Sequence, residues 1–290
     1  MIEVMSRVIG RRLAHGLFHP PRRGHHRVPA DVGLEAVSLR VDTSDGVALH
    51  VWAIEGGGEA VVVIGHGIGM SKSASLAHAR LAVDLGYRVL LFDHRNHGLS
   101  GQDPASRGLA DRFSLDIAAT LAEAARRWPL ASPRVVWGFS FSTFPTLYSL
   151  RSADAPIDAV ILDSGPGDDL TALLSEFLLR GGMPLPRPLS SVLRTPRVAA
   201  AFATSAVDML GCEWPPVLGR VVPMHFIVGE QDTLVPPWQT VQLADRYPTA
   251  VVTRLPVTHL GGIKAARPEY VATVSGFLGA VGAQPRGERE

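Results

Sequence analysis

The side chain best placed for chemistry in the sequence is that of Ser140, in the stretch Gly-Phe-Ser-Phe-Ser over residues 138–142. An apolar run with β-branched residues precedes this stretch and a segment of helical pattern follows it, which predicts a sharp turn from a strand into a helix. Such a turn exposes the hydroxyl above a sheet, and the free N–H groups at the helix start can hold an anion. Ser140 is therefore a candidate nucleophile, although serine is also favoured as an ordinary helix N-cap.

Two further candidate catalytic side chains follow predicted strands later in the chain. Asp232 lies a few residues beyond an apolar strand, and His259 lies in the loop that leaves the next strand. A serine nucleophile needs a histidine to take its proton and a carboxylate to orient the imidazole. Because parallel strands place their carboxyl ends along one edge of a sheet, the three side chains are predicted to converge. Asp163, at the end of an earlier strand, is a rival carboxylate.

Two polar loops follow predicted strands before Ser140. The sequence His-Gly-Ile-Gly-Met over residues 66–70 comes directly after a buried strand, where glycines can turn backbone N–H groups into a cavity, although a plain glycine turn has the same sequence. The second loop holds Asp93, Arg95 and His97. We expect these side chains to brace the loop rather than to act in catalysis, since polar groups beside a buried strand end need partners.

The elements that must position these residues alternate along the chain. From residue 60 to residue 164, short apolar runs alternate with segments of helical periodicity, which is typical of a parallel sheet built from βαβ crossovers. An antiparallel pair of strands is predicted before them, with Asp45 and Gly46 in the hairpin turn. The stretch from Leu170 to about Leu218 has helical patterns and no strand signal, so we expect a helical cap there. The prediction is an α/β fold with a mostly parallel central sheet, helices on both faces and a helical cap insertion.

The N-terminal residues have a basic, amphipathic pattern typical of a short helix. We expect its apolar side to pack on the protein's own core, with weak peripheral contact of residues 1–18 with a membrane surface as the alternative. His25 and His26 follow it without a carboxylate or cysteine at ligand spacing, so we expect a solvated basic linker and no metal site. The predicted division of the chain is a basic helix and linker over residues 1–30, an α/β core over 31–164 and 221–282, a cap over 165–220 and a tail over 283–290.

Composition excludes several classes of protein. The 290 residues include 28 basic and 27 acidic side chains, a net charge of +1, so nothing indicates a nucleic-acid partner. Cys212 is the single cysteine, which excludes an intrachain disulfide and a cysteine-based metal cluster. No apolar run reaches the roughly 20 residues that span a bilayer, and the first residues lack the pattern of a signal peptide. We therefore expect a cytoplasmic protein without an integral membrane segment.

The order of serine, acid and histidine along the chain resembles that of the α/β-hydrolase superfamily, in its serine hydrolase branch. The resemblance extends from about Ala36 to Leu278. It implies that Ser140 is the nucleophile, His259 the general base and Asp232 the orienting carboxylate. The segments that carry it, in family order, are the loop over residues 66–69, the loop over 93–100, the elbow over 138–140, the acid loop over 229–236 and the loop of His259.

The same resemblance implies further features of the site. The backbone N–H groups of Ile68 and Phe141 correspond to the oxyanion hole, and no metal or organic cofactor is implied. Some members of the superfamily place the acid after the earlier strand, which keeps Asp163 as a rival to the favoured Asp232. Ser142 departs from the pattern, because the family usually has glycine there, and its side chain must fit a tight approach of strand and helix.

The implied activity is cleavage of a small-molecule carboxylic ester or thioester with an apolar acyl group through an acyl-enzyme. A serine at position 140 argues against epoxide hydrolases and haloalkane dehalogenases, relatives that attack with an aspartate. Two alternatives stay open. The chain could be an acyltransferase or a lyase on the same fold, or a small-ligand-binding protein that has lost catalysis.

Overall fold

Eight strands form one mixed sheet in the computed structural model, which describes residues 2–185, 190–191 and 193–283. The strands lie in the order β1-β2-β4-β3-β5-β6-β7-β8. Pairs β1–β2 and β2–β4 are antiparallel, and the remaining neighbours are parallel. The strands are β1 (Val37–Asp42), β2 (Ala48–Ile54), β3 (Val61–Gly65), β4 (Arg88–Phe92), β5 (Arg134–Phe139), β6 (Ala159–Asp163), β7 (Met224–Gly229) and β8 (Ala250–Leu255).

Helices cover both faces of this sheet. Val62 and Ile64 of β3 face one layer, whereas Val61 and Val63 face the other, as the two-residue period of a strand requires. The α/β prediction with helices on both faces is thereby confirmed. The helices are α1 (Ile2–Phe18), α2 (Leu76–Asp84), α3 (Leu109–Arg127), α4 (Thr143–Ser149), α5 (Leu170–Leu179), α6 (Pro196–Leu210), α7 (Pro237–Ala244), α8 (Gly262–Ala265) and α9 (Arg267–Gly282), with 3-10 turns over Pro29–Val32, Lys72–Ser75 and Ser140–Ser142.

The apolar periodicity of the sequence predicts a helix from about Leu115 to Arg127, but helix α3 begins six residues earlier, at Leu109. Leu109 and Phe113 are fully buried, but they pack in the cluster that holds α1 and α6 rather than beneath the sheet. The first turns of α3 therefore bury a different side of the helix from the later turns. A search for one continuous apolar face along the helix therefore does not include these first turns.

The two helices of the predicted cap, α5 and α6, lie between β6 and β7 in the sequence and share an apolar cluster with α1. Ala14, Leu17 and Phe18 at the end of α1 are buried in this cluster. None of the described helices combines the length and the apolar character needed to cross a bilayer. Residues 186–189 and 192 of the predicted cap and 284–290 of the predicted tail lie outside the described residues.

Helices α1 and α6 approach closely at Gly10. A Cβ atom added at Gly10 would lie 2.6 Å from the backbone carbon of Ala201 and 2.6 Å from the backbone nitrogen of Phe202. These contacts are with backbone atoms, which cannot move aside as a flexible side chain can. The close approach therefore depends on the missing side chain at Gly10.

We expect Gly10→Ala to lower the free energy of unfolding by about 1–3 kcal/mol, because the new methyl group forces the two helices apart. Gly16 lies in the same helix, and a Cβ atom added there would have nothing within 4 Å, so it supplies a matched control. Gly16→Ala should be neutral or should raise stability by up to about 1 kcal/mol. Urea unfolding followed by circular dichroism measures both variants, and equal effects would contradict the packing argument.

Candidate active site

Ser140 lies at the turn that links β5 to α4. Its backbone is in the left-handed region with φ of 50°, as expected for a serine on a sharp strand-to-helix bend. The Thr143 hydroxyl donates a hydrogen bond to the Ser140 carbonyl and holds the turn from the helix side. The Ser140 residue is partly exposed, whereas Ser142 beyond it is fully buried. The turn therefore presents one serine to the cleft and packs the other inside.

The structure brings Ser140, His259 and Asp232 into one hydrogen-bonded series. The His259 Nε2 atom lies 2.9 Å from the Ser140 Oγ atom, and the His259 Nδ1 atom lies 2.6 Å from an Asp232 carboxylate oxygen. The other oxygen of Asp232 accepts hydrogen bonds from the N–H groups of Leu234 (2.8 Å) and Val235 (3.0 Å). A carboxylate held in this way fixes the imidazole tautomer that leaves Nε2 free to take a proton.

Asp163 has other partners. Its carboxylate accepts hydrogen bonds from the Ser164 hydroxyl (2.9 Å) and from the Tyr270 hydroxyl, and burial raises its pKa to about 6 although these bonds oppose the rise. The Ser164 oxygen in turn accepts a hydrogen bond from the N–H of Leu260, at 3.1 Å. Asp163 thus supports the loop that carries His259, while Asp232 contacts the imidazole itself.

Ser142 fits the tight approach of strand and helix because Gly65 lies opposite. A Cβ atom at Gly65 would lie 1.9 Å from the Ser142 Oγ atom, so that hydroxyl occupies the space that a side chain on β3 would need. The same oxygen lies 3.0 Å from the His94 Nε2 atom, which supplies a hydrogen-bond partner for the buried hydroxyl. The departure from glycine at position 142 is therefore accommodated by a glycine elsewhere.

The loop over residues 66–70 is tied to the end of β4 by the His66 ring. His66 Nδ1–H donates to the Gly67 carbonyl (2.8 Å), and Nε2 accepts from the N–H of His94 (3.1 Å). Burial lowers the pKa of His66 to about 3, so the ring is neutral and keeps both roles. The Met70 N–H closes a turn onto the Gly67 carbonyl at 3.2 Å, with Ile68 at its second position. The N–H of Ile68 therefore takes no part in the hydrogen bond that closes this β-turn.

The loop that follows β4 is braced by a buried arginine. Arg95 is fully buried and contacts three carboxylates, those of Asp45 (2.8 Å), Asp103 (2.7 Å) and Asp116 (2.9 Å). These contacts agree with the bracing role expected for Arg95. A buried guanidinium with this set of partners is satisfied within the protein and has no need of a substrate anion.

A second buried cation, Lys72, was not singled out by the sequence. Its Nζ atom lies 2.7 Å from Asp93, 2.9 Å from His25 Nε2 and 2.6 Å from His50 Nδ1. Burial alone would raise the pKa of Asp93, but His25 and the Lys72 ammonium hold it well below its usual range. The ammonium lies among the three groups that could otherwise bind a metal ion.

The expectation of a solvated linker is wrong for His25, whose side chain is only 8% exposed and whose Nε2 atom lies 2.8 Å from Asp93. No local spacing relates these two residues, which are 68 positions apart. The fold supplies the carboxylate that the neighbouring sequence lacks, and the contact anchors the segment that follows α1. A lysine at the start of a 3-10 turn carries no signal that would have revealed this cluster.

A narrow apolar cavity opens at Ser140. Its volume is about 90 Å³, well below the roughly 300–1,000 Å³ of most small-molecule sites. A larger groove of about 1100 Å³ lies near Ala60 and Arg134 at the opposite ends of the strands and contains none of the three residues of the series. The residues that line the narrow cavity are Leu17, Phe18, Ile68, Ser140, Phe141, Phe144, Gly165, Pro166, Leu170, Leu173, Leu174, Phe177, Leu210 and Val235.

The sheet order, the left-handed serine turn and the convergence of Ser140, His259 and Asp232 are features of the α/β-hydrolase fold. A family model described as "alpha/beta hydrolase fold" matches residues 60–187. The match covers less than half of the chain but includes Ser140, and it confirms the resemblance inferred from the motifs at the level of the fold. In sequence, the chain is 38% identical over 60 residues to the uncharacterised protein YqkD of Bacillus subtilis, a match that covers 21% of this chain and spans about a fifth (20%) of that relative's length.

Similar folds occur among solved structures of esterases. An esterase from Pyrococcus furiosus superposes with a TM-score of 0.75 at 24% identity, over 91% of this chain and 98% of that chain. An esterase from Exiguobacterium antarcticum superposes with a TM-score of 0.62 at 17% identity, over 84% of this chain and 100% of that chain. At these identities the likeness describes the fold.

The fit of Ser142 against Gly65 predicts a compensating pair of substitutions. We expect Gly65→Ala to destabilise the protein by about 1–3 kcal/mol, because its methyl group would overlap the Ser142 hydroxyl. Removing that hydroxyl in Gly65→Ala/Ser142→Gly should restore at least half of the loss. The comparison uses thermal and urea unfolding of both variants, with Ser142→Gly alone as the control. A double variant no more stable than Gly65→Ala would refute the proposed fit.

Proposed function

We propose that the chain is a serine hydrolase that cleaves small carboxylic esters or thioesters through an acyl-enzyme. The observation that carries this proposal is the hydrogen-bonded series Ser140–His259–Asp232, whose serine opens into an apolar cavity. Several proteins of known structure that share the fold are named as esterases, which also supports ester hydrolysis.

In the first half of the reaction, the Ser140 oxygen attacks the carbonyl carbon of the substrate while His259 Nε2 takes the hydroxyl proton. Asp232 stabilises the imidazolium that forms, through the 2.6 Å contact with Nδ1. The tetrahedral intermediate collapses, the bond to the alcohol or thiol breaks, and the leaving group takes the proton from Nε2. The acyl group is then bonded to Ser140.

In the second half, a water molecule attacks the acyl carbon and gives a proton to His259 Nε2. The new intermediate collapses, the Ser140 oxygen leaves and recovers its proton, and the carboxylic acid is released. The partly exposed position of Ser140 gives water a route to the acyl carbon. Both halves use the same imidazole, which remains hydrogen-bonded to Asp232.

The negative charge on the carbonyl oxygen needs donors, and we assign them to the backbone N–H groups of Phe141 and Ile68. Phe141 lies in the first turn of the helical segment that begins at Ser140, where N–H groups lack an acceptor within the helix. Ile68 lies at the second position of the turn closed by Met70 and Gly67. Both residues line the cavity together with Ser140, as an oxyanion hole requires.

The lining of the cavity supports an apolar acyl group. Among the described residues that line the cavity, none carries a charged side chain, and leucines and phenylalanines from α4 and α5 supply much of its surface. A charged acid or amine buried there would lose its hydration without gaining a partner, at a large cost in free energy. A neutral, apolar acyl chain has no charge to desolvate, and its transfer from water into the cavity is favourable in free energy.

The nucleophile is tested with a fluorophosphonate probe, which forms a covalent bond with an activated serine. We expect the probe to label the wild-type protein at Ser140, and Ser140→Ala to lose both the label and the hydrolysis of p-nitrophenyl acetate. Ser142→Ala serves as the matched control, since Ser142 is buried and its hydroxyl contacts His94. Mass spectrometry of the labelled peptide locates the bond, and labelling that persists in Ser140→Ala would exclude this nucleophile.

The carboxylate is tested by comparing Asp232→Asn with Asp163→Asn. We expect Asp232→Asn to lower kcat by a factor of about 10³ or more, because an amide no longer holds His259 in the required tautomer. Asp163→Asn changes a group that supports the loop through Ser164, so its effect on kcat should be far smaller. Steady-state ester hydrolysis measures both, and the reverse ranking would assign the orienting role to Asp163.

A further inference from the structure

The C-terminal end of α1 forms part of the wall of the cavity. Leu17 and Phe18 both line it, although they precede Ser140 by more than 120 positions. Phe18 is only 2% exposed, and its ring centroid lies 6.3 Å from that of Phe141, the residue that follows the serine. A helix assigned by sequence to a separate N-terminal segment therefore borders the reaction centre.

This end of α1 is held by hydrogen bonds rather than left frayed. The Asn96 side-chain amide donates to the Phe18 carbonyl at 3.1 Å, and the Asn96 amide oxygen accepts from the N–H of Asp103 at 2.7 Å. The His19 ring nitrogen Nε2 lies 3.0 Å from the Asp103 carbonyl oxygen. Since Asp103 is also bound by the buried Arg95, the end of α1 is fixed to a rigid loop.

The Phe18 ring also packs against a second aromatic ring. Its centroid lies 6.1 Å from that of the fully buried Phe113 on α3. Nearer the N-terminus of α1, the close approach at Gly10 holds the helix against α6. A longer acyl chain that reaches this wall would have to displace a packed aromatic ring. Protein interiors are close-packed, so such a displacement costs free energy.

We propose that Phe18 limits the length of the acyl chain and that the substrates are esters of short acyl groups. This inference rests on the proposed function, because it concerns the cavity that opens at Ser140. The small volume of about 90 Å³ agrees with a short chain. Phe18 acts as a specificity-determining residue in the wall of the acyl site.

The test compares wild type, Phe18→Ala and Phe18→Trp on p-nitrophenyl acetate, butyrate, hexanoate and octanoate. Wild type should prefer the shorter esters. Phe18→Ala should raise the ratio of kcat/KM for octanoate over acetate by at least about tenfold, since each further buried methylene contributes about fourfold. Phe18→Trp should move the preference in the opposite direction. Opposite shifts cannot result from general destabilisation, which lowers turnover of all four esters together.

A second substrate series separates the acyl group from the alcohol. Methyl and hexyl butyrate differ only in the alcohol, and their ratio of kcat/KM should be the same in wild type and Phe18→Ala. Met5→Ala, on an exposed part of α1, is the control expected to leave both profiles unchanged. If Phe18→Ala fails to fold, Phe18→Leu replaces it as the smaller variant.

The outcomes separate the two proposals. If the fluorophosphonate probe does not label wild type at Ser140, the proposed function fails. If it labels every variant and the Phe18 variants keep the wild-type chain-length profile, the function stands and the role of Phe18 is wrong. A change confined to the alcohol series would likewise overturn the acyl assignment.

Discussion

The left-handed backbone of Ser140 is the constraint on which the rest of the site depends. A non-glycine residue in this conformation costs about 1–3 kcal/mol, so the surrounding packing must hold it. Thr143 binds the carbonyl from one side, and Ser142 fills the space opposite Gly65. Because both contacts involve buried elements, the turn cannot relax, and the Ser140 hydroxyl stays within hydrogen-bond distance of His259.

Buried charges fix the loops around this turn. Arg95 joins three carboxylates, and Lys72 joins Asp93 to His25 and His50. Such groups are stable inside a protein only when their partners are complete, because a single buried charge left without one is costly. The loop after β4 therefore has few alternative conformations. It can support two neighbours at once, the end of α1 and the loop over residues 66–70.

Helix α1 and the helices inserted between β6 and β7 form one apolar layer above the carboxyl ends of the strands. Their side chains meet at the cavity that opens at Ser140. Helices α1, α5 and α6 thus all contribute side chains to the wall of this cavity. The proposed chemistry depends on residues at the strand ends of the sheet, whereas the space available to the proposed substrate depends on this layer.

The sequence by itself determined the strand and helix alternation, the serine turn, and the placement of Asp232 and His259 after later strands. These features depend on periodicity and turn chemistry within a few residues, which a single chain displays directly. The tertiary structure decided that Asp232 rather than Asp163 contacts His259, and how Gly65 makes room for Ser142. It also brought His25 to Asp93 and Phe18 to the cavity. The physical reason is that these contacts join residues tens of positions apart, and no local pattern records which buried surfaces will meet.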